Sequence, residues 1–197
     1  MYAFAQGQGS GAARRLRRAC LLVLLLICGT ALAEGGRFDV RSASARQIDG
    51  VYFLDARIDY RLSDKALEAL QNGLELTIQV QIEVIRKRPL LPDVGVAELS
   101  QDYLLSYQPL SRRYLVKNAN SGEQSSYATL FSALNSIGRI SRLPVIDASL
   151  LDPDARHRMR IRTVLDQNTL PGPLRLIAFW SAGFRLASEW YGWTLKD

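Results

Sequence analysis

The chain has 197 residues, with 25 Lys and Arg, 19 Asp and Glu, and two cysteines, a length that suits one domain. Four of the basic residues and both cysteines, Cys20 and Cys28, fall within the first 33 positions, where no acidic residue occurs, leaving 21 cations against 19 anions beyond them. That near-balance excludes the strongly basic surface of a nucleic-acid binder, and a cysteine-free remainder excludes thiol catalysis, thiolate metal sites and a disulfide scaffold.

Arg14, Arg15, Arg17 and Arg18 precede an apolar run over residues 19–28, and Ala31-Leu32-Ala33 supplies small residues at the two positions a signal peptidase reads. The pattern predicts a secretory signal over residues 1–33, cleaved after Ala33, and a periplasmic location. About ten apolar residues are too few for a bilayer-spanning helix, so an uncleaved anchor is the weaker alternative. Residues 34–197 are then expected to form a single domain, held by its core alone.

Residues 38–47 and 51–62 read as two strands joined at Asp49-Gly50, a hairpin signal. In the second strand Leu54, Ala56, Ile58, Tyr60 and Leu62 share one face, and Asp55, Arg57, Asp59 and Arg61 the other. Ser63 can cap a short helix over residues 66–70 that Asn72-Gly73 closes. Residues 74–84 then alternate strictly: Leu74, Leu76, Ile78, Val80, Ile82 and Val84 on one side, polar residues on the other. A half-buried antiparallel strand has this pattern. At about 3.3 Å per residue it spans roughly 36 Å, close to the diameter of about 40 Å expected of the domain.

Alternation fails at Ile85, and Arg86-Lys87-Arg88-Pro89 ends the strand; the basic run suits either an anionic partner or a solvated strand end. Residues 90–96 read as loop, 99–107 and 113–118 as a second hairpin, and 120–122 as a turn. A helix capped by Ser125 or Ser126 is expected to carry Tyr127, Leu130, Phe131, Leu134 and Ile137 as its apolar stripe. Pro144 with Asp147, Asp152 and Asp154 marks an irregular stretch. Residues 157–166 return to strand character, with Arg158, Arg160 and Arg162 along one face; on an edge strand such charge blocks unwanted pairing. Residues 170–175 lead rigidly into a short helix reaching Trp180, and 184–195 form a last strand carrying Trp190, Tyr191 and Trp193. The expected fold is mainly β: an antiparallel β-sandwich, immunoglobulin-like or a strongly curled sheet, of about seven strands with two or three accessory helices.

No catalytic constellation emerges from this inventory. The single histidine, His157, stands between Arg156 and Arg158, whose charge repels a proton or a metal ion. No G-x-S-x-G elbow and no phosphate-cradling glycine loop occurs, so neither nucleotide nor any other cofactor is expected. Asp55 and Asp59 share a strand face but lie about 13 Å apart, too far for a glycosidase pair and suited to an exposed charge ladder. Asp147, Asp152 and Asp154 lack the spacing of a calcium loop and read as a capped turn. Trp190 and Trp193, three apart, point to opposite faces of a regular strand; packing of both into the core is expected, with an exposed Trp193 as the alternative. No metal site and no catalytic residue is assigned. The expected contact elements are Arg86, Arg88, Arg158, Arg160, Arg162 and Trp193, toward an envelope protein or a membrane-associated partner and toward neither nucleic acid nor nucleotide.

The order of motifs also resembles a known family. Leu54-Asp55-Ala56, Leu62-Ser63, Ala69-Leu70-Gln71-Asn72-Gly73 and the long strand ending in Arg86 and Arg88 are followed by Tyr107 with Leu110-Ser111 and Tyr114. Leu170-Pro171 with Pro173-Leu174-Arg175, then Ser188 with Trp190, Trp193 and Leu195, complete the series. Together they resemble an uncharacterised family of exported proteobacterial proteins over residues 38–195, with Phe184 standing where a tryptophan is expected. The resemblance implies a domain of unknown function without assigned activity, cofactor or catalytic residues. Relatives encoded beside an envelope-sensing histidine kinase further imply an accessory role to a membrane sensor. The function expected is that of a non-enzymatic periplasmic binding domain. The alternatives are a carboxylate-dependent hydrolase of cell-wall or glycan material and a structural or lipid-contacting envelope protein.

Overall fold

In the computed structural model, residues 35–166 and 184–195 are described, all within one compact unit. The expected signal peptide and the lead-in over residues 170–180 lie outside the described residues. Nine strands and two α-helices are present among those described: β1 (Arg37–Ile48), β2 (Val51–Arg61), α1 (Asp64–Gln71), β3 (Leu76–Arg86), β4 (Val94–Gln108), β5 (Arg113–Asn118), β6 (Gln124–Tyr127), α2 (Leu130–Ile137), β7 (Arg139–Asp147), β8 (His157–Asp166) and β9 (Tyr191–Thr194). They build two antiparallel sheets, one ordered β1-β2-β7 and the other β6-β5-β4-β3-β8-β9. The fold is thus mainly β and open at its edges, with two strands more than expected. Four consecutive strands, β3 to β6, form a meander, where an immunoglobulin domain would make Greek-key crossings.

The long alternating strand is the centre of the larger sheet. Val80, Ile82 and Val84 of β3 meet Leu54, Ala56 and Ile58 of the smaller sheet in one buried cluster, joined by Met159 and Ile161 of β8. A second cluster at the other end gathers Leu76, Ile78, Leu105 and Leu165 under Ala66 and Leu70 of α1 and Ala133, Leu134 and Ile137 of α2. The strand begins two residues later than its alternation suggests, because the helix before it takes Leu74. The Gly73 N–H donates to the Leu70 carbonyl at 3.1 Å and the Leu74 N–H to Ala69 at 2.9 Å, with Gly73 at φ +85°. This is a Schellman closure, and Leu74 supplies its apolar contact. Ser63 caps the front of α1 as expected, accepting from the Ala66 N–H at 3.2 Å.

Several boundaries differ from the sequence reading, each for a local reason. Ser125, Ser126 and Tyr127 do not open a helix: they pair with β5 as the short strand β6, and α2 starts at Leu130 under a Thr129 cap. From that start Leu130, Ala133, Leu134 and Ile137 share a face, and Phe131 is turned out to 80 % exposure. Pro144 sits inside a strand, not an irregular stretch. β7 is a sheet edge paired only to β2, its register breaks on both sides of the proline's neighbourhood, and a missing N–H is tolerated there. β4 begins at Val94, inside the expected loop, because a bulge at Ile85 and Gly95 absorbs the break in alternation. The last strand shrinks to Tyr191–Thr194 plus one bridge from Ala187 to Val164. β8 is not an edge at all, lying between β3 and β9.

Two contacts between the layers yield measurable expectations. The C-terminus of α2 presses on β2: Gly138 accepts from the Ile58 N–H at 2.8 Å, and a Cβ at Gly138 would lie 2.1 Å from the Ile58 carbonyl oxygen. Gly138→Ala should therefore lower stability in urea unfolding by about 1–3 kcal/mol, as overpacking does. Gly95→Ala, where a Cβ meets nothing within 4 Å, should leave stability unchanged. Tyr60 places its hydroxyl 3.1 Å from the fully buried Thr163, and burial pushes the phenol above its usual range. The unfolded chain releases that proton near pH 10 while the folded one keeps it, so stability complete below pH 10 falls as pH rises above it. In Tyr60→Phe the fall between pH 10 and 12 should be shallower by about 1.4 kcal/mol per pH unit, read from urea unfolding at stepped pH.

Candidate functional site

The sheet register brings two basic runs, 70 positions apart in sequence, to the same corner. β3 and β8 pair without interruption from Thr77 with Asp166 to Arg86 with His157, so Arg86-Lys87-Arg88 ends beside Arg156-His157-Arg158. The Lys87 N–H extends the ladder one step, donating to the Arg156 carbonyl at 2.8 Å. β9 completes the corner by pairing Arg158 with Thr194 and Met159 with Trp193. Together these ends surround an open cleft of about 1020 Å³, the upper end of the size usual for ligand pockets. Five cationic side chains line it, from Arg86, Lys87, Arg88, Arg156 and Arg158.

Only part of that charge is neutralised. Arg86 reaches Asp152 at 3.3 Å and Lys87 reaches Asp93 at 2.6 Å, a hydrogen bond that holds the Asp93 carboxyl below the usual range. Among the described residues the side chains of Arg88, Arg156 and Arg158 form no ion pair with a carboxylate; Arg158 lies across Gly192 and donates to its carbonyl at 3.2 Å. Asp154 adds one carboxylate to the lining. Like charges held this close in a concave surface raise the local potential and attract anions. Trp193 forms part of the wall, packed on the edge of the inter-sheet cluster. Its indole N–H is buried and finds no hydrogen-bond partner among the described residues, a situation worth about 1–3 kcal/mol to relieve.

Four of the six predicted contact residues, Arg86, Arg88, Arg158 and Trp193, thus meet at one cleft. Arg160 and Arg162 do not. They point from the outer face of β8, where Arg160 donates to Glu83 at 2.8 Å and Arg162 to Gln81 at 2.6 Å across β3. Both guanidinium carbons stack on the Trp190 ring, 4.4 and 4.5 Å from its centroid. Their charge therefore binds β8 to its neighbours, and the edge-blocking role expected of the stripe does not apply to an interior strand. Trp190 is half-buried on that outer face while Trp193 faces inward, so the two tryptophans take opposite faces and only Trp193 joins the core. Arg156 was missing from the predicted set. Its signal was present, since Arg156 and Arg158 flank a buried His157, but it takes the register to β3 to show that the run meets a second one.

The carboxylates arrange themselves differently from any pair visible along one strand. Asp55 accepts from Arg46 at 2.8 Å and from the Arg142 backbone at 3.1 Å, and both contacts hold its carboxyl below the usual range. Asp59 stands opposite Asp39 across β1 and β2, beside a smaller cleft of about 550 Å³. Arg41 bridges that pair, at 3.0 Å from Asp39 and 2.7 Å from Asp59, so one guanidinium engages both carboxylates. Asp147 and Asp152 cap turns, accepting from the Ser149 and Asp154 N–H groups at 2.8 and 3.1 Å. Among the described residues no group of three or more His, Cys, Asp or Glu is placed to hold a metal ion, and no described helix is long and apolar enough to cross a membrane.

No curated protein and no solved structure matches the chain. A family model described as a domain of unknown function matches residues 36–194, from the residue before β1 to the end of β9. Because that match takes in both sheets and the cleft between β3, β8 and β9, the chain belongs to the DUF4390 family.

Proposed function

We propose that the protein is a non-enzymatic binding domain of the cell envelope, and that the cleft at the β3–β8–β9 corner takes up an anionic group of an envelope component. The observation that carries this reading is the convergence of five cationic side chains on one cleft, three of them in no ion pair with a carboxylate among the described residues. A cluster of like charges works against folding, so a balanced surface would disperse it. Arginine's planar fork also suits bidentate capture of phosphate or carboxylate. The predicted export signal supports the envelope as the compartment. The corner is preorganised, because continuous ladders on either side of β8 fix the backbone of Arg86, Arg156 and Arg158.

In living cells, a photo-crosslinking side chain at position 88 or 194 should capture an envelope component. The same side chain at position 110, in the turn at the far end of the larger sheet, should not. Reversing two cleft charges, Arg156→Glu with Arg158→Glu, should reduce capture from position 88 by about tenfold or more, the weight of one charge-assisted hydrogen bond. Equal capture from positions 88 and 110, or capture indifferent to the reversal, would sink the reading.

A further inference from the structure

We infer that this corner docks on an anionic membrane surface, its arginines on lipid phosphates and its exposed leucines in the acyl boundary. The inference rests on the anion-binding reading of the cleft and names its occupant.

Three large apolar side chains are exposed on the two turns that adjoin the cleft-lining residues. In the turn that joins β3 to β4, Leu90 is 95 % exposed and Leu91 63 %; in the short turn after β7, Leu150 is 68 % exposed. Both turns are tied to the basic corner. Lys87 and Asp93 staple the base of the first at 2.6 Å, and the Arg86–Asp152 contact at 3.3 Å draws the second against the end of β3. Pro89, next to Leu90, itself lines the cleft. The leucines thus lie on the two turns that these ion pairs join to the basic corner.

A soluble anion would satisfy the cleft and leave those leucines in water. A protein partner would need a concave, apolar-lined face to receive exposed leucines, and leucine is under-represented among the hot spots of protein interfaces. A bilayer surface supplies phosphates at one depth and hydrocarbon a few ångströms deeper, the order in which this corner offers arginines and leucines. Tyr191, exposed on β9 and 6.1 Å from the Trp193 ring, adds an amphipathic ring of the kind that settles at headgroup level. The opposite end also exposes a leucine, Leu110, which serves as an internal control.

The protein as purified from cells is titrated with vesicles of phosphatidylglycerol mixed into phosphatidylcholine, and with phosphatidylcholine alone. An environment-sensitive fluorophore sits at position 90 or at position 110. Position 90 should shift to the blue on phosphatidylglycerol vesicles and not on neutral ones, and position 110 should not respond. Leu90→Glu with Leu91→Glu should weaken that partitioning by about tenfold or more while quenching of tryptophan fluorescence by inorganic pyrophosphate persists. Equal binding to neutral vesicles, or equal responses at 90 and 110, overturns the inference. Pyrophosphate binding lost on Arg156→Glu with Arg158→Glu, without vesicle binding, overturns the lipid assignment and leaves the anion cleft. Capture of a protein from position 90 without vesicle binding assigns the corner to that partner instead. Neither vesicle nor pyrophosphate binding overturns both readings.

Discussion

The pairing of β3 with β8 is the constraint on which the rest depends. Ten consecutive register positions, Thr77 with Asp166 through Arg86 with His157, run without a bulge. A slip of one residue would turn Met159, Ile161 and Leu165 to the outer face and bring arginines into the core, at prohibitive cost. The hydrophobic alternation of both strands therefore fixes the register, and the register fixes where the charges go. Outside the core it sets Arg160 beside Glu83 and Arg162 beside Gln81, and at its end it sets Arg86 next to the Arg156–Arg158 run. One apolar pattern thus builds the sandwich and assembles the cleft.

The two ends of the sandwich are finished in different ways. At one, α1 and α2 lay Ala66, Leu70, Ala133, Leu134 and Ile137 over the sheets and seal the core. At the other, the layers end in turns held by polar contacts: the Ala148 N–H donates to the Gly50 carbonyl at 2.7 Å, and Lys87, Arg86 and Asp147 staple their own loops. The helix-capped end leaves little freedom for recognition, whereas turns on a rigid scaffold are where recognition residues usually gather.

How much of this was legible depended on whether the deciding interaction was local. The face of β3, the Ser63 cap and the Asp49-Gly50 hairpin follow from residues a few positions apart, and each appears in the structure. The start of β3 was misplaced because Leu74 satisfies both the strand's alternation and the helix's closure, and backbone hydrogen bonds to Ala69 decide for the helix. β6 is ambiguous in sequence because Ser125 fits a helix cap and Tyr127 a helix stripe as well as a strand; pairing with Tyr114 and Val116 decides, and that is a contact between strands. Pro144 argued against a strand only while its edge position was unknown.

The same division explains the site. Arg86 and Arg88 were recognisable because they end an alternating strand, and the arginines of β8 because they repeat every second residue. Which of the latter line the cleft is not legible locally, since Arg158, Arg160 and Arg162 are equivalent along the strand. What separates them is the neighbour across it. Arg160 finds Glu83 and the Trp190 ring, and Arg162 finds Gln81 and the same ring, while Arg158 stands at the last pair but one of the ladder, where β3 offers Ile85 and β9 offers a glycine carbonyl. An arginine stripe along an interior strand is neutralised wherever both neighbouring strands carry an acceptor or a ring, and it becomes available for binding where those neighbours end. The position of the cleft is therefore set by where the partners of β8 run out.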